Sequence, residues 1–513
     1  MRSCGLLVAL VVLGCSQPTR VIPVSDDAPT GGSAAPEEVT PEEVTPEGAK
    51  TSLKTPGPIT EAPAASAGLG SNEGKDSPGA HAVIRHGLAW YEDAPEAAFA
   101  AARAERKLVV IDAWAAWCHT CLSMQNFVIT AENLPGASSR FVWLAIDTER
   151  EKNAAFLKEF PVGVWPTFYV LEPASSKIVG RWLGAASPAQ FERFLNEGER
   201  AAALLRANGL SADEPLALVI DADTLATRGD FPDAARAYAK ALAVAPSAWP
   251  RRPEVLVAQM TALWKAKDFA GCAELAAKAM GQTGSAASAV DFAHYALECA
   301  SQLPAGQPAV AALRRTVERR LEGLCQEGST ELSPDDRADA CDNLAAARAA
   351  LGDATGARNA TLERLNVLEH AAAGKPPEVA LTYDWARTDA LIALDRAEEA
   401  LAIAVERERG LPSNYNPPHY QAKSYKALGR WQEGLAALDR ALGLAYGPRR
   451  IGLLTLKADL LIGASRKSEA VQTLEEQLAA YRALPDGQKQ PAAAARVERR
   501  LLELGAAADD ASP

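Results

Sequence analysis

The sequence contains few aromatic residues, no long apolar segment and no excess of positive charge. Aromatic residues make up 6% of the chain while alanine is abundant, which favours closely packed helices over β-sandwiches. No segment approaches the ~18 consecutive apolar residues that a transmembrane helix requires. The net charge of −12 argues against binding to nucleic acid, which needs a basic face.

The N-terminus nevertheless predicts an exported, lipid-anchored chain. A short basic start is followed by an apolar run over residues 5–13 and by small residues before Cys15. This pattern resembles a bacterial lipoprotein signal over residues 1–14, with Cys15 as the lipidated residue. The alternatives are an ordinary signal peptide or a chance cysteine. We expect a protein of the cell envelope that faces the periplasm or the exterior and is held to the membrane by its lipid alone.

Beyond this predicted signal, the 513-residue chain divides into three parts by composition and periodicity. Residues 15–80 are rich in Pro, Glu, Ala and Ser and almost free of large apolar side chains, which predicts a disordered linker. Residues 81–205 show alternating strand and helix patterns, and residues 213–508 show the patterns of consecutive helices. The predicted fold class is therefore an α/β domain followed by an all-α domain.

A Cys-x-x-Cys motif, Cys118-His119-Thr120-Cys121, follows the apolar strand pattern of residues 108–114. At a strand-to-helix junction the first thiol lies at a helix N-terminus, where backbone N–H groups stabilise a thiolate. The second thiol is close enough to resolve a mixed disulfide. The motif therefore indicates thiol–disulfide chemistry.

Further elements are predicted around the motif. They are a helix from Pro95 to about Lys107, strands over 141–146, 167–171 and 178–182, and helices over 149–160 and from Pro188. Strands 167–171 and 178–182 are expected to form an antiparallel hairpin. Trp165-Pro166-Thr167 opens the first of them.

These motifs in this order resemble the thioredoxin superfamily over residues 85–200. The branch that includes the C-terminal domain of the periplasmic thiol:disulfide interchange reductase is the most similar. The resemblance implies that Cys118 is the exposed attacking thiolate and Cys121 the resolving thiol. It also implies that Asp112 is a buried acid that moves protons to and from Cys121, and that Pro166 is a cis-proline facing the dithiol.

The residues beside the cysteines are expected to modify the motif. Trp117 packs over it, and Trp165 is a bulky residue before the proline. A cationic His119 stabilises the Cys118 thiolate, which implies a reduction potential above the ~−270 mV of thioredoxin. Thr120 is not diagnostic.

Other uses of the two cysteines remain open. Zinc needs four ligands, and no second Cys-x-x-Cys or His pair lies nearby, so we expect no metal. Haem attachment needs His directly after Cys121, where Leu122 stands. A structural disulfide in an inactive domain is the third alternative. No cofactor is expected.

The helical part shows an internal period of about 34 residues, the length of a tetratricopeptide repeat. Its best copies surround the turns Gly229-Asp230-Phe231 and Gly429-Arg430-Trp431. Weaker copies are predicted over 260–279, 345–361, 388–407 and 458–474. The alternative is a generic alanine-rich bundle.

Such repeats form a groove that binds a protein or peptide. Trp385 and His419 occupy equivalent first-helix positions of neighbouring repeats, and Lys423 and Lys426 follow on that face. The alternative is that Trp385 is packing and the lysines are a solvated surface.

Four cysteines of the helical part are predicted to form two structural disulfides, Cys272–Cys299 and Cys325–Cys341. In the repeat pattern each pair falls at the same level of two neighbouring helices. The alternative is four small buried thiols.

Two function classes follow. The first is an oxidoreductase for disulfides of exported proteins, whose repeats recruit clients or partners and which exchanges electrons with a redox partner in the membrane. The second is a lipoprotein scaffold in which the α/β domain is accessory.

Anchoring gives the first testable prediction. Cys15→Ser should release the protein from membranes or block its processing, because no other apolar segment could hold it there. Fractionation of cells expressing each form measures this. Unchanged membrane association after detergent-free washing would contradict it.

Overall fold

The computed structural model of the protein describes residues 82–304, 306–326 and 331–509. The predicted signal over residues 1–14, the lipidation site Cys15 and the linker over residues 15–80 lie outside the described residues. All described residues belong to one unit of tertiary contacts. Among them, no helix combines the length and the apolar character needed to cross a bilayer.

The first part of this unit, residues 83–206, is named here the α/β domain. A six-stranded mixed sheet has the order β1-β2-β4-β3-β5-β6. Its strands are β1 Val83–Arg85, β2 Leu88–Glu92, β3 Leu108–Trp114, β4 Phe141–Asp147, β5 Thr167–Glu172 and β6 Lys177–Leu183. Strand β3 is central: it pairs parallel with β4 and antiparallel with β5. The predicted β5–β6 hairpin is confirmed.

Helices cover both faces of this sheet. They are α1 Pro95–Glu105, α2 His119–Ser123, α3 Ala137–Arg140, α4 Ala154–Glu159 and α5 Pro188–Arg206, with a π-helical turn Met124–Val128 directly after α2. Helix α5 begins with a capping box, in which Ser187 and Gln190 bond each other's backbone N–H groups. Proline at its first position adds a preset φ.

One part of the α/β domain was not predicted from the sequence. Strands β1 and β2 form an antiparallel hairpin before α1, and β2 extends the sheet beside β4. The sequence patterns predicted only the helix from Pro95 before β3, so the prediction for this end of the domain is incomplete. Both strands are short, and β2 buries only Leu88 and Trp90 fully, so their alternation gives a weak signal.

The rest of the unit, residues 215–509, is named here the helical region, and the all-α prediction is confirmed. Its helices are α6 Pro215–Arg228, α7 Phe231–Val244, α8 Arg252–Lys265, α9 Phe269–Ala279, α10 Ala287–Ser301, α11 Pro308–Cys325, α12 Pro334–Ala350, α13 Ala354–Ala372, α14 Pro377–Ala393, α15 Ala397–Gly410, α16 Asn416–Ala427, α17 Trp431–Leu444, α18 Gly447–Gly463, α19 Lys467–Ala483 and α20 Pro491–Asp509.

Successive helices pack as pairs joined by short turns. Each predicted repeat copy falls on one helix–turn–helix, whereas the α10–α11 pair has no predicted copy. Buried alanines such as Ala222, Ala234 and Ala241 let the paired helices approach closely. Gly229 ends α6 at a φ of 86°, a left-handed conformation that glycine adopts without steric cost.

The four cysteines of the helical region are paired as the sequence predicts. Cys272–Cys299 joins α9 to α10 with a Cα–Cα distance of 6.1 Å. Cys325–Cys341 joins the end of α11 to α12 at 4.8 Å. Both distances lie inside the range that a disulfide can span.

The two disulfides generate a stability prediction. They close loops with sequence separations of 27 and 16 residues. Replacing both members of either pair by alanine should lower the unfolding free energy by roughly 3 kcal/mol in the chain-entropy model. Denaturant titration measures the change, and thiol-specific mass spectrometry of the exported protein checks the pairing. Free thiols at all four positions would refute it.

Candidate functional site

The dithiol lies where the central strand of the sheet ends. Strand β3 ends at Trp114, and Cys118 is the N-cap residue of α2, its Sγ accepting a hydrogen bond from the Cys121 backbone N–H at 3.0 Å. Cys118 and Cys121 form a disulfide with a Cα–Cα distance of 5.2 Å. The first sulfur therefore lies at the positive end of a helix, which favours a thiolate when the pair is reduced.

Cys118 is not exposed, and this corrects the sequence prediction. Its exposed fraction is 4%, and that of Cys121 is 0%. The two cysteines form a small buried cluster with Ala115, against which the rings of Trp117 and Trp165 pack. The helical region adds to this cover, because α12 and α14 both contact α2.

The loop before β5 faces the same cluster. The Trp165–Pro166 peptide bond is cis. The Trp165 ring lies 5.3 Å from that of Trp117, and its Nε1–H donates to Thr148 Oγ1 at 2.9 Å. The Pro166 carbonyl accepts from the Gly184 N–H at 3.0 Å, which ties this loop to the end of β6.

Asp112 occupies the middle of β3 and is almost fully buried. Its Oδ2 accepts a hydrogen bond from Gln125 Nε2 at 2.7 Å, while Oδ1 has no hydrogen-bond partner in the described part of the chain. Burial raises the pKa of this carboxyl to about 6, although the bond from Gln125 opposes the shift. Such a group can hold or release a proton near neutral pH.

His119 points into the helical region. Its Nδ1 lies 3.1 Å from both carboxylate oxygens of Asp335 on α12, and its ring stacks on Trp385 of α14 with centroids 5.3 Å apart. Burial by itself lowers the pKa of His119, but the charges of Asp335 and Asp339 raise it to about 9. The imidazole is therefore charged at neutral pH, as the sequence predicts. Asp335 neutralises that charge, which reduces its effect on Cys118.

The same three residues could hold a cation. Ligand atoms of His119, Asp335 and Asp339 all lie within 4.8 Å of one another. A metal bound here would have to displace the proton that the raised pKa keeps on this ring at neutral pH. The ion pair with Asp335 accounts for the arrangement.

Trp117 is held from the other side of the motif. Its Nε1–H donates to Glu149 Oε1 at 2.9 Å, and the backbone N–H of Arg449 on α18 donates to Glu149 Oε2. The Arg449 guanidinium lies over the Trp117 ring at 5.5 Å. Burial raises the pKa of Glu149 to about 7, against the hydrogen bonds that it accepts. The helical region thus contacts residues on both sides of Cys118.

The predicted groove residues have partners inside the chain. Trp385 is 8% exposed, with the His119 ring stacked on it and the Lys423 ammonium over its ring at 5.4 Å. Lys423 also pairs with Asp389, and Lys426 pairs with Asp459. His419 is buried, and burial lowers its pKa well below the ordinary value, as do the charges of Arg449 and Lys423.

Sequence reasoning missed Gln125, Glu149, Asp335 and Asn416. Asn416 Nδ2 donates to the Ala116 carbonyl at 2.8 Å. The predicted motif residue Thr120 lies half-buried on α2. The position of Glu149 after β4 could have indicated it, because β3 and β4 are parallel and end at the same edge. Asp335 lies 216 residues from His119, and no local pattern connects them.

Asp112 generates a pH prediction. Its folded pKa of about 6 lies above the ordinary 3.8, so its contribution to stability is present below about pH 3.8 and is lost as pH rises through about 6. Between these limits wild type should lose about 3 kcal/mol of unfolding free energy that Asp112→Asn does not lose. Denaturant titrations of both proteins from pH 4 to pH 8 measure the difference. Parallel stability profiles would contradict the burial argument.

Comparison with known proteins finds a family model that matches the α/β domain. Residues 95–199 match the family model described as a thioredoxin-like domain. A search of curated proteins matched none to the chain.

Solved structures show a looser likeness. A tetratricopeptide repeat protein from Parabacteroides merdae ATCC 43184 is 12% identical, with 56% of this chain and 96% of that chain covered and a TM-score of 0.37. The TPR2AB domain of yeast Sti1 in complex with pHSP90 is 12% identical, with 56% and 97% covered and a TM-score of 0.22. TM-scores this low carry no argument about function. Residues 95–199 are thus a thioredoxin-like domain, and a helical region with a likeness to tetratricopeptide-repeat structures follows it.

Proposed function

We propose that the chain is a thiol–disulfide oxidoreductase that acts on disulfides of exported proteins. The observation that carries the proposal is the Cys118–Cys121 pair at the start of α2. The loop with the cis Trp165–Pro166 bond packs on this pair through Trp165, and the preceding strand holds the buried acid Asp112. A purely structural disulfide needs none of these neighbours. The helix N-terminus favours a thiolate at Cys118, and Asp112 supplies a proton-exchanging group inside the domain.

The proposed reaction is a pair of thiol–disulfide exchanges. In the reducing direction, the Cys118 thiolate attacks one sulfur of a client disulfide, a mixed disulfide forms, and the second client sulfur leaves as a thiolate. Cys121 then loses its proton towards Asp112 and attacks the Cys118 sulfur. The client is released as a dithiol, and the Cys118–Cys121 disulfide forms. Oxidation of a client is the same sequence in reverse.

The setting of this chemistry is also part of the proposal. A lipid on Cys15 would hold the enzyme at the cell envelope, and the linker over residues 15–80 would separate it from the bilayer. The helical region would recruit clients or protein partners, and a membrane redox partner would restore the dithiol. The two disulfides of the helical region fit an oxidising compartment.

A scaffold lipoprotein with an accessory α/β domain is the second candidate. The burial of both Cys118 and Cys121 favours it, because a client sulfur must reach Cys118. The raised pKa of Asp112 and its unpaired Oδ1 favour the enzyme, since a purely structural core gains nothing from a buried carboxylate.

Trapping of clients tests the proposal. Cys121→Ser leaves Cys118 as the attacking thiol without a resolving partner, so mixed disulfides with exported proteins should accumulate. Cys118→Ser should trap none, because Cys121 is the more deeply buried sulfur. Non-reducing electrophoresis with mass spectrometry of the adducts measures this.

Turnover is measured in parallel with insulin as the substrate. Wild type should reduce insulin, and Cys118→Ser should lose at least about a hundredfold of that activity. Equal trapping by both variants would refute the assignment of the nucleophile. No trapping by either variant and no turnover would favour the scaffold.

A further inference from the structure

The α/β domain meets the helical region through two contacts of different character. The first is formed by β6 and α5 against α6 and α8, and the second by the face around the dithiol against α12, α14, α16, α18 and the turn Asp486–Gln488. An open cleft of about 820 Å³ lies between the α/β domain and the middle of the helical region, with Phe127 and Gln190 on one wall and Ser333 and Tyr383 on the other.

The first contact, called here the apolar contact, shares one hydrophobic core and also encloses buried charged groups. Leu216 at the start of α6 belongs to the same buried core as Phe191 and Phe194 of α5. Arg251 of α8 is buried, pairs with Glu197 at 3.2 Å and lies over the Phe194 ring at 5.7 Å. Separating these surfaces would expose core side chains and an ion pair that the interior holds together.

The second contact, called here the polar contact, combines hydrogen bonds that water could replace with apolar packing of Leu122, Phe127 and Trp117 against the helical region. The Asn126 amide donates to Thr382 Oγ1 at 3.0 Å, and the Asn416 amide donates to the Ala116 carbonyl at 2.8 Å. Gln488 donates to the Thr148 carbonyl at 2.9 Å. The ion pair of His119 with Asp335 and the stack of the His119 ring on Trp385 also belong to this contact. Solvent replaces each of these hydrogen bonds on opening, so each contributes little to keeping the contact closed.

This polar contact covers the groups that a client must reach. It holds Ala116, Trp117 and His119, which flank Cys118, and Thr148, which holds Trp165 beside Pro166. Asp291 of α10 accepts a hydrogen bond from the Ala185 backbone N–H next to Gly184. An extended polypeptide has no access to this surface while the helical region occupies it.

We infer that the helical region is an intramolecular cap on the redox site, and that the chain works by opening the polar contact while the apolar contact acts as the hinge side. The cap occupies the groove that the sequence assigned to a client or partner, so the chain's own α/β domain is the ligand of that groove. The inference rests on the proposed function, since a cap matters only where Cys118 reacts. Interfaces between domains of one chain separate readily unless they are large and apolar. The hydrogen bonds of the second contact fit opening there, and the packing of Leu122 and Phe127 on the helical region has to be broken in the same step.

A glycine at the polar contact offers a direct test. A Cβ on Gly487 would lie 2.0 Å from the Ala154 carbonyl oxygen of the α/β domain, so Gly487→Ala should wedge the two surfaces apart. Gly443→Ala is the matched control, because a Cβ there meets nothing within 4 Å among the described residues. Neither position has a left-handed φ.

The measurement is the rate at which iodoacetamide alkylates Cys118 in the reduced full chain, quantified by mass spectrometry of the peptide that contains it. A capped thiol reacts only in proportion to its open fraction. Wild type should react much more slowly than the urea-unfolded chain, and Gly487→Ala should react about tenfold faster than wild type. Gly443→Ala should match wild type.

A second pair of variants guards against misfolding of the first. Trp385→Ala removes the ring that His119 stacks on and should also accelerate alkylation, whereas Trp431→Ala, on α17 against Gly463, should not. Circular dichroism establishes that each variant is folded. The cap is refuted if Cys118 of folded wild type reacts at the unfolded rate. It is equally refuted if neither Gly487→Ala nor Trp385→Ala exceeds its control.

These results separate the cap from the proposed function. Alkylation requires no client, so variants that open but trap no client would refute the enzyme and leave the cap standing. A wild type that traps clients and alkylates freely would refute the cap alone.

Discussion

The contact between His119 and Asp335 ties the dithiol motif to the helical region. It joins the residue directly after Cys118 to a helix 216 residues away, and the raised pKa of the imidazole keeps the pair charged at neutral pH. The neighbouring Trp385 stack, the Asn416 bond and the Glu149–Arg449 bond continue the same surface. Because of this surface, a dithiol with the surroundings of a redox site is buried in the described structure.

The charges around His119 are unbalanced, and this follows from the position of α12. Burial and the neighbouring carboxylates together raise the pKa of Asp336 to about 7 and that of Asp339 to about 6, although the charge of His119 opposes the shift at Asp339. Asp291 has a pKa well above its ordinary value for the same reasons. Several carboxyl groups thus meet the His119 imidazolium and the Arg364 guanidinium at the interface. Water reaching these groups on opening would relieve their burial, which weakens the polar contact relative to the apolar one.

Much of the fold could be predicted from the sequence, because the relevant signals are local. The strand of residues 108–114, the motif after it and the Trp165-Pro166 opening of β5 are each contained in short segments. The disulfide pairs follow from repeat spacing in the same way. The β1–β2 hairpin was missed because β1 has only three residues and no buried face. The burial of Cys118 could not be predicted, since it depends on how the helical region closes over α2 and no periodicity encodes that approach.

If Cys118 and Cys121 form a working redox couple, their disulfide must be reducible at the potentials at which such couples operate, so the decisive measurement is its reduction potential. The full chain would be equilibrated in glutathione buffers of graded potential, and the state of this pair alone would be read by mass spectrometry. A catalytic couple should titrate reversibly between about −270 and −120 mV, the span from thioredoxin to the strongest known oxidant of this kind. A potential below about −300 mV, as in structural disulfides of secreted proteins, would contradict a redox role for this pair.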